Sequence, residues 1–423
     1  MSFKWPMTRL RYLAEFNPPV PSSIRHSSDR LLPLFSMETI SNFDLPLAPE
    51  LRETSSLVTG YAFITQDDVA YAKVTPCFEN GKGIVGTELD GPAFATTELT
   101  VLRPKPLMNQ RFLSYILRSD LFRGPAIASM TGAGGLRRVS EADMKDLPVP
   151  TPGLAVQNRI SDYLDHETAE IDAFIIELRH AHSLAESRIT ALGKHLVRSV
   201  DAPSVRHKIA WLYRVGNGAT PRVDEASYWS DDGVPWMNSA TLTQHPVISA
   251  SRTVTQKAMR EVHLPLVPSG SLLVGLSGQG KTRGTVSILG TEATVNQHLA
   301  YLTPISNNAP ITEFAWLCLH AAYEELRYIS EGNGGTRGGL TCEDLRSFKI
   351  PVPDISEQRQ VVSEYMGASS DSRAMMADTV SAITLAKERR AALITAAVTG
   401  QIDVTKKNRP AVEQLQDDIE EQK

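Results

Sequence analysis

The amino-acid sequence predicts an α+β protein with an internal repeat, in which two similar mixed domains are each followed by one long helix. Residues 147–150 read Leu-Pro-Val-Pro and residues 350–353 read Ile-Pro-Val-Pro, and a glutamine follows each run, at Gln157 and Gln358. Each run also stands before a proline-free stretch with helical periodicity. The chain has 423 residues, which is too long for one core, and repetition over so long a period indicates two similar domains.

The repeat extends well beyond these prolines. Residues 98–104 are similar to residues 298–304, and residues 188–192 are similar to residues 389–393. The sequence therefore predicts five segments. They are a first mixed domain (1–151), a first long helix (152–202), a second mixed domain (203–354), a second long helix (355–405) and a charged, disordered tail (406–423).

The two mixed domains contain short strand-like runs separated by Gly, Pro and Asn turns. Such runs occur at residues 69–74 and 99–102 in the first domain, and at 271–276 and 285–289 in the second. Each domain also holds one predicted helix, at residues 110–123 and 311–329. Short strands with turn signals favour a mostly antiparallel sheet.

The two helical segments carry apolar stripes at spacings of three, four or seven residues. A helix of about 40 residues is a rod of about 60 Å, and a narrow stripe on such a rod must pack on another helix. The expected partner is the equivalent helix of the other half, although the stripe weakens at residues 366–374, where Gly, Ala and Ser predominate. The stripe residues are Ile160, Leu164, Ile171, Ile175, Leu178, Ala185, Ile189, Leu192 and Leu196, and then Val362, Met366, Met376, Val380, Ile383, Leu393 and Ala397.

The composition is that of an ordinary globular protein, with 42% hydrophobic and 22% charged residues and a formal net charge of −5. An acidic balance disfavours tight DNA binding by the chain alone. No apolar run reaches the length of about 20 residues that a membrane helix needs, and no apolar stretch of a signal peptide follows the first residues. The three cysteines lie far apart, which excludes a cysteine-based zinc site and fits a reducing cytoplasm.

Residues 275–282 match the phosphate-binding pattern G-x-x-x-x-G-K-[ST]. That site needs a helix after the loop, because the amides at the helix N-terminus face the phosphates. The residues that follow, 283–290, have the β-branched pattern of a strand. A hairpin loop that presents Lys281 and Arg283 to a nucleic acid is the better functional interpretation, and a solvated turn is an equally good structural one.

Other catalytic patterns are weaker still. Residues 17–20 read Asn-Pro-Pro-Val, which lacks the aromatic residue that amino-methylating DNA methyltransferases place after the prolines to stack on a flipped base. His180 and His182 point to different sides of a helix, so they predict no metal site. The carboxylates of the long helices fit solvated faces better than acid–base pairs.

Two glycine-rich basic loops are the best functional candidates, at residues 131–138 and 333–339. Glycine lets the backbone approach a ligand closely, and arginine makes bidentate contacts with phosphate or guanine. Because both loops stand ahead of the long helices, binding is the favoured interpretation. The candidate DNA-binding residues are Lys82, Arg137, Arg138, Thr220, Arg222, Lys281, Arg283 and Arg337.

These features together resemble the specificity subunit of a type I restriction-modification enzyme, over nearly the whole chain. The resemblance rests on the two proline runs with Gln157 and Gln358, on residues 388–403, and on Thr220-Pro221 with the tryptophan-containing pairs that follow it. No single motif would be sufficient, but the combination is specific. The resemblance implies that each mixed domain is a target recognition domain and that the long helices pack as an antiparallel coiled coil.

The resemblance also implies what the chain does. Each recognition domain is expected to read one half of a bipartite, asymmetric site in double-stranded DNA, with half-sites about one helical turn apart. The chain is then no enzyme and binds no cofactor or metal itself. The expected partners are two DNA methyltransferase subunits, which use S-adenosylmethionine, and restriction–translocase subunits, which use ATP and Mg²⁺. The alternatives are a P-loop nucleotide-binding enzyme and a coiled-coil scaffold that binds no DNA.

Overall fold

The computed structural model describes residues 4–26, 30–43, 49–133, 135–201, 205–278, 280–305, 309–331, 339–402 and 404. It divides into two compact units. One unit is Met1–Leu178 with Ser381–Lys423, and the other is Arg179–Val380. Each unit therefore contains one mixed domain together with parts of both long helices. Arg337 and the predicted tail lie outside the described residues.

The first half of the chain consists of short strands and helices that lead into one long helix. Its elements in chain order are β1 (Met7–Arg9), α1 (Leu10–Leu13), β2 (Ala14–Phe16), α2 (Ser22–Arg25), β3 (Leu31–Phe35), β4 (Glu50–Glu53), α3 (Thr54–Leu57), β5 (Ala62–Ile64), β6 (Val69–Ala72), β7 (Gly83–Val85), a 3₁₀ helix (Gly86–Glu88), β8 (Ala93–Ala95), β9 (Leu99–Pro104), α4 (Gln110–Arg118), α5 (Asp120–Ala128), β10 (Thr131–Ala133), β11 (Leu136–Arg138), α6 (Glu141–Asp146), β12 (Pro148–Pro150) and α7 (Leu154–Asp201).

The second half follows a similar order of elements. Its elements are β13 (Arg206–Lys208), α8 (Ile209–Leu212), β14 (Tyr213–Asn217), a 3₁₀ helix (Ala226–Tyr228), β15 (Trp229–Met237), a 3₁₀ helix (Ser239–Thr243), β16 (Thr253–Val254), α9 (Gln256–Glu261), β17 (Leu272–Gly275), β18 (Val286–Ile288), β19 (Thr294–Val295), β20 (Leu299–Pro304), α10 (Thr312–Ala321), α11 (Tyr323–Glu331), α12 (Cys342–Ser347), β21 (Lys349–Pro351) and α13 (Ile355–Thr399).

The main sheet has the same topology in both domains. In the first domain it is antiparallel, in the order β2-β9-β6-β7, and in the second it is antiparallel, in the order β14-β20-β17-β18. A second sheet in each domain contains one parallel pair, β3 with β8 and β15 with β19. The predicted α+β class and internal repeat are confirmed, and the predicted mostly antiparallel pairing describes the main sheet.

The prediction of one helix after the main strands is wrong in both domains, because two helices occupy each predicted span. In the first domain the break is at Ser119, whose backbone is extended (φ −78°, ψ 156°). The Ser119 hydroxyl donates to the Ile116 carbonyl at 2.6 Å, and its own carbonyl accepts from the amides of Phe122 and Arg123. A serine whose hydroxyl bonds back to the preceding turn is a local signal that apolar periodicity does not register.

The two long helices run antiparallel within each unit. In the first unit Arg390 on α13 donates to Asp172 on α7 at 3.0 Å, and Ile171 and Ile175 pack with Ala386. In the second unit the ring of His182 lies 3.0 Å from the Thr379 hydroxyl. The predicted antiparallel packing of the two helices is therefore present in each unit.

One buried glutamine anchors the start of each long helix to its domain. The Gln157 side chain accepts from the Asn109 amide at 2.7 Å and donates to the carbonyls of Leu107 and Pro152 at 2.9 and 2.8 Å. Gln358 accepts from the Ile311 amide at 2.9 Å and donates to the Pro353 carbonyl at 2.8 Å. The glutamines of the repeated motif thus satisfy backbone groups at the N-terminus of α4 or α10, where a helix has amides without partners.

Candidate nucleic-acid interface

The glycine-rich basic loop of the first domain is a β-hairpin formed by β10 and β11. It is attached where β6 ends, because the Arg137 amide donates to the Thr75 hydroxyl and the Thr75 amide donates to the Arg137 carbonyl, both at 2.9 Å. Gly132 and Gly135 have φ angles of +143° and +83°, and a Cβ on Gly132 would lie 2.3 Å from the Leu136 carbonyl oxygen. The glycines therefore permit a hairpin tight enough to hold its arginines at the end of the sheet.

The two arginines of this hairpin are exposed and paired with carboxylates. Arg138 donates from Nε and Nη2 to the two oxygens of Glu98 at 3.0 and 2.7 Å, and about half of its side chain is exposed. These hydrogen bonds lower the pKa of Glu98 below its usual value. Arg137 donates to Glu79 at 3.3 Å. We call this surface, where β6 ends and β9 begins, the β6–β9 end.

Lys82 lies in the loop after the β6–β9 end but is partly buried. Its Nζ donates to the Met37 carbonyl at 2.6 Å, so it joins the loop to the segment after β3. Arg123 supports the same loop by donating to the carbonyls of Phe78 and Glu79 at 3.4 and 2.8 Å. Lys82 and Arg123 thus shape this surface from beneath.

The second domain repeats the backbone of this surface. In the first domain the Lys73 amide donates to the Glu98 carbonyl at 2.9 Å, and in the second the Leu276 amide donates to the His298 carbonyl at the same distance. The equivalent surface is therefore where β17 ends and β20 begins, and we call it the β17–β20 end. The second glycine-rich loop belongs to the same stretch of the repeat, but residues 332–338 are not among those described.

Neutral polar side chains form a hydrogen-bonded row at the β17–β20 end. The Thr220 hydroxyl donates to Gln297 Oε1 at 2.6 Å, and Gln297 Nε2 lies 3.3 Å from His298 Nε2. The row continues from His298 Nδ1 to the Ser277 hydroxyl at 2.8 Å. Thr220, Gln297 and His298 are all exposed, so the row presents amide, imidazole and hydroxyl groups to solvent.

The charged candidates of the second domain follow Thr220 or Ser277 in the chain. Arg222 is exposed and donates from Nε and Nη2 to Asp224 at 3.3 and 2.9 Å, which lowers the pKa of that carboxyl. Lys281, with 84% of its side chain exposed, pairs with Glu186 of α7 at 2.9 Å. Arg283 is only 10% exposed and lies 3.5 Å from Glu331, so it supports the loop and offers little surface to a ligand.

Sequence reasoning missed Arg252, which stacks on Trp229 with its guanidinium carbon 3.5 Å from the ring centroid. Trp229 is held edge-on to Trp236, and its indole nitrogen donates to the Arg222 carbonyl at 3.0 Å. Arg252 belongs to no basic cluster and no glycine-rich loop, so no motif indicated it. Arg252 directly precedes β16, which pairs with β15 across a register shift.

The segment that matches the phosphate-loop pattern is a hairpin between two antiparallel strands, β17 and β18. The Lys281 carbonyl accepts from the hydroxyls of Thr285 and Tyr323, and Arg327 donates to the Gly280 carbonyl at 2.8 Å. A strand follows where a nucleotide site needs a helix, so the P-loop alternative is not supported. Within the described ranges, no group of three or more His, Cys, Asp or Glu side chains could hold a metal ion.

The folds, the repeated surfaces and the comparisons with known proteins define the class of this chain. The family model for the type I restriction modification DNA specificity domain matches it twice, over residues 58–177 and 209–364. The chain belongs to this family, as its sequence motifs predict. None of the described helices is long and apolar enough to cross a membrane.

Particular relatives are specificity subunits of type I restriction enzymes. The chain is 33% identical over 158 residues to the EcoAI specificity subunit of Escherichia coli, which is 37% of this chain and 26% of the relative. It is 22% identical over 230 residues to the EcoR124I/EcoR124II specificity subunit of Escherichia coli, which is 53% of this chain and 55% of the relative. The matches thus span between about a quarter and about half of the length of these relatives.

A solved structure has the same fold over almost the whole chain. It comes from work on complex assembly and conformational transition of a type I R-M system, and it superposes with a TM-score of 0.67. The match covers 95% of this chain and 100% of the other, at 17% sequence identity. At that identity the likeness concerns the fold alone.

Proposed function

We propose that this chain is the DNA sequence-recognition subunit of a type I restriction-modification complex, and that it reads a bipartite, asymmetric site. The observation that carries the proposal is the repeated surface: the β6–β9 end and the β17–β20 end have one backbone arrangement and different exposed side chains. Two surfaces with the same backbone and different exposed side chains suit a DNA site whose two halves differ in sequence. Membership of the specificity-domain family supports the same function.

The proposed contacts follow from exposure. Arg137, Arg138, Thr220, Arg222 and Lys281 are exposed at these two surfaces and offer hydrogen bonds to phosphates or base edges. Lys82 and Arg283 have a supporting role, since each is partly or largely buried against backbone or a carboxylate. Arg337 remains a candidate from its sequence pattern alone.

The chemistry of modification is proposed to reside in other polypeptides. Two methyltransferase subunits with S-adenosylmethionine would methylate the site, and restriction–translocase subunits with ATP and Mg²⁺ would cleave DNA, in the cytoplasm where the DNA lies. The net charge of −5 supports this division of labour, because an acidic chain gains affinity for a polyanion from its partners.

The direct test is to map methylated bases in the DNA of cells that carry this chain with its methyltransferase subunit. A two-part motif with a gap of fixed length supports the proposal. A continuous motif, or methylation without sequence preference, contradicts it. A coiled-coil scaffold that binds no DNA would leave the methylation pattern unchanged when this chain is deleted.

The gap length tests whether the long helices set the spacing. Both helices are continuous, over 48 and 45 residues, and His182 faces Thr379 across them. Seven residues inserted after each of these two positions keep the facing register and add about 10.5 Å, which is about three base pairs. We expect the gap to lengthen. Selection of the original gap by the lengthened chain would contradict this mechanism.

A further inference from the structure

We propose that the two equivalent surfaces read different bases: Arg138, oriented by Glu98, reads a guanine in one half-site, and Gln297 reads an adenine in the other. The inference rests on the proposed DNA recognition and assigns base-specific roles at that site. It follows from three observations, which are the equivalence of the two surfaces, the geometry of the Arg138–Glu98 pair and the hydrogen bonds of the Gln297 amide.

The backbone makes the two surfaces equivalent. The Glu98 carbonyl accepts a hydrogen bond from the amide directly after β6, and the His298 carbonyl accepts one from the amide directly after β17. Both hydrogen bonds are 2.9 Å long. Glu98 and His298 are each the residue before the strand that pairs with β6 or β17, which is β9 or β20. Gln297, one residue earlier, is exposed at the same place in the second domain. A ligand that meets one domain at this surface therefore meets the other domain in the same way.

Glu98 holds Arg138 in an orientation that suits guanine. The Glu98 carboxylate accepts hydrogen bonds from Nε and from one hydrogen of Nη2 of Arg138. These two bonds fix the guanidinium plane and leave the Nη1–Nη2 edge available to a ligand. That edge has the two parallel donors that match O6 and N7 of guanine. An arginine already fixed by a carboxylate loses less side-chain freedom on binding than an unpaired one.

The Gln297 row offers the other pattern. Its amide is held by Thr220 at Oε1 and by His298 near Nε2, yet each atom keeps one free hydrogen-bonding position. One donor and one acceptor side by side match N7 and N6 of adenine. The Thr220 and Gln297 side chains carry no charge, which favours a base edge over a phosphate as their ligand.

The sharpest test uses the assembled complex, made of the full chain with its methyltransferase subunits, and a library of duplexes with random bases. Sequences that bind are selected for wild type, Arg138→Lys and Gln297→Glu. Lysine keeps the charge but lacks the arginine fork, so a phosphate contact survives and a guanine contact does not. Glutamate only accepts hydrogen bonds, so it favours cytosine N4 over adenine.

The expected result is confined to one half-site per variant. Arg138→Lys should lose about tenfold or more of its preference for guanine at one position, and Gln297→Glu should exchange an adenine for a cytosine preference in the other half-site. Arg9→Lys is the matched control, because Arg9 is also paired with a carboxylate, Asp146, but lies at the opposite end of the main sheet. Binding to a duplex of random sequence at low salt verifies that each variant is folded.

The outcomes separate this inference from the proposed function. If the wild-type complex selects no sequence, the proposed function itself is wrong. If it selects a bipartite site that both variants read unchanged, DNA recognition stands but base reading by Arg138 and Gln297 is overturned. A uniform loss of affinity for all sequences with Arg138→Lys, with base preferences unchanged, would show that Arg138 supports binding without reading a base and would also overturn the assignment.

Discussion

The two mixed domains have the same main-sheet topology, but different polar side chains occupy one equivalent buried position. Directly before β6 in the first domain, Asp68 is fully buried and accepts from Nε and Nη2 of Arg103 on β9, both at 2.8 Å. At the equivalent place in the second domain, the hydroxyls of Ser271 and Thr303 lie 2.9 Å apart. Strand pairing and the glutamine anchor are thus kept in the repeat, while the polar side chains differ. The fold tolerates either pair because both satisfy their hydrogen bonds internally.

The largest expected effect comes from breaking the charged pair. Asp68→Ala leaves the Arg103 guanidinium without its carboxylate, and we expect a loss of about 3 kcal/mol in the free energy of unfolding of the first domain. Urea unfolding followed by circular dichroism measures it. Ser271→Ala is the matched control in the second domain, with an expected loss of about 1 kcal/mol because only one neutral hydrogen bond disappears. Equal losses would show that the buried charge is of no consequence.

Substitution of the two anchoring glutamines should have the next largest effect on the free energy of unfolding. Gln157→Leu removes three hydrogen bonds to backbone groups, and Gln358→Leu removes two. We expect losses of about 2–3 and about 1–2 kcal/mol, since each variant leaves backbone groups buried without a partner. Hydrogen exchange of the Asn109 and Ile311 amides provides a local readout. Unchanged protection of both amides would contradict the anchor role.

A third difference, in the last turn of α4 and of α10, predicts that only the second domain responds to mild acid at this position. There the first domain has Arg118, stacked 4.2 Å from the Tyr115 ring centroid, and arginine does not titrate in this range. The second domain has His320, stacked on Trp316, with His245 on the same indole at 5.0 and 4.2 Å respectively.

Desolvation, helped by Arg373 and His320, lowers the pKa of His245 to about 4, and desolvation followed by Arg373 lowers that of His320. The folded pKa lies below the usual value of about 6.5, so the unfolded chain takes up protons first as the pH falls. The contribution of these two histidines to the stability of the second domain should be constant above about pH 6.5 and should decline between about pH 6.5 and pH 4.

Tryptophan fluorescence reports this decline selectively, because four of the five tryptophans lie in the second domain. We expect the melting temperature of that domain to fall by a few degrees over this range. The decrease is small because solvent screens partly exposed imidazole rings, so their pKa shifts change the free energy of unfolding only in part. The double variant His245→Gln, His320→Gln should flatten the profile. A decline of the same size in the double variant would assign it to other groups.

Sequence reasoning predicted the architecture well because the repeat and the helix stripes are properties of the chain as written. It could not predict how weak stripes are completed. Residues 366–374 of α13 contain small side chains, yet Ser369 is fully buried and Tyr365 packs on Trp316 with a centroid distance of 5.8 Å. The Trp316 ring of the mixed domain thus contacts the helix directly before the small residues, and no periodicity within the helix records this.

The candidate site was predicted in part, for a similar reason. The glycine-rich hairpin with Arg137 and Arg138 is visible as a local motif, because glycine and arginine are adjacent in the sequence. The row that joins Thr220 to Gln297 and Ser277 is formed by residues far apart in the chain, so only the pairing of β14, β17 and β20 brings it together. Arg283 is buried whereas Lys281, two residues earlier, is exposed. The amino-acid composition of the loop does not predict this difference.

The smallest expected effect distinguishes a phosphate contact from a base contact. Lys281 is highly exposed and its pair with Glu186 is a surface pair, so Lys281→Ala should hardly change stability. If it contacts a phosphate, the slope of log affinity against log salt should fall by about one for every DNA sequence, with base preferences unchanged. Lys208→Ala, on β13 at the opposite end of the main sheet, is the control and should keep the wild-type slope. A change of base preference with Lys281→Ala would mean that the second domain reads sequence through a cation as well as through neutral groups, so that both domains use a cation for base recognition.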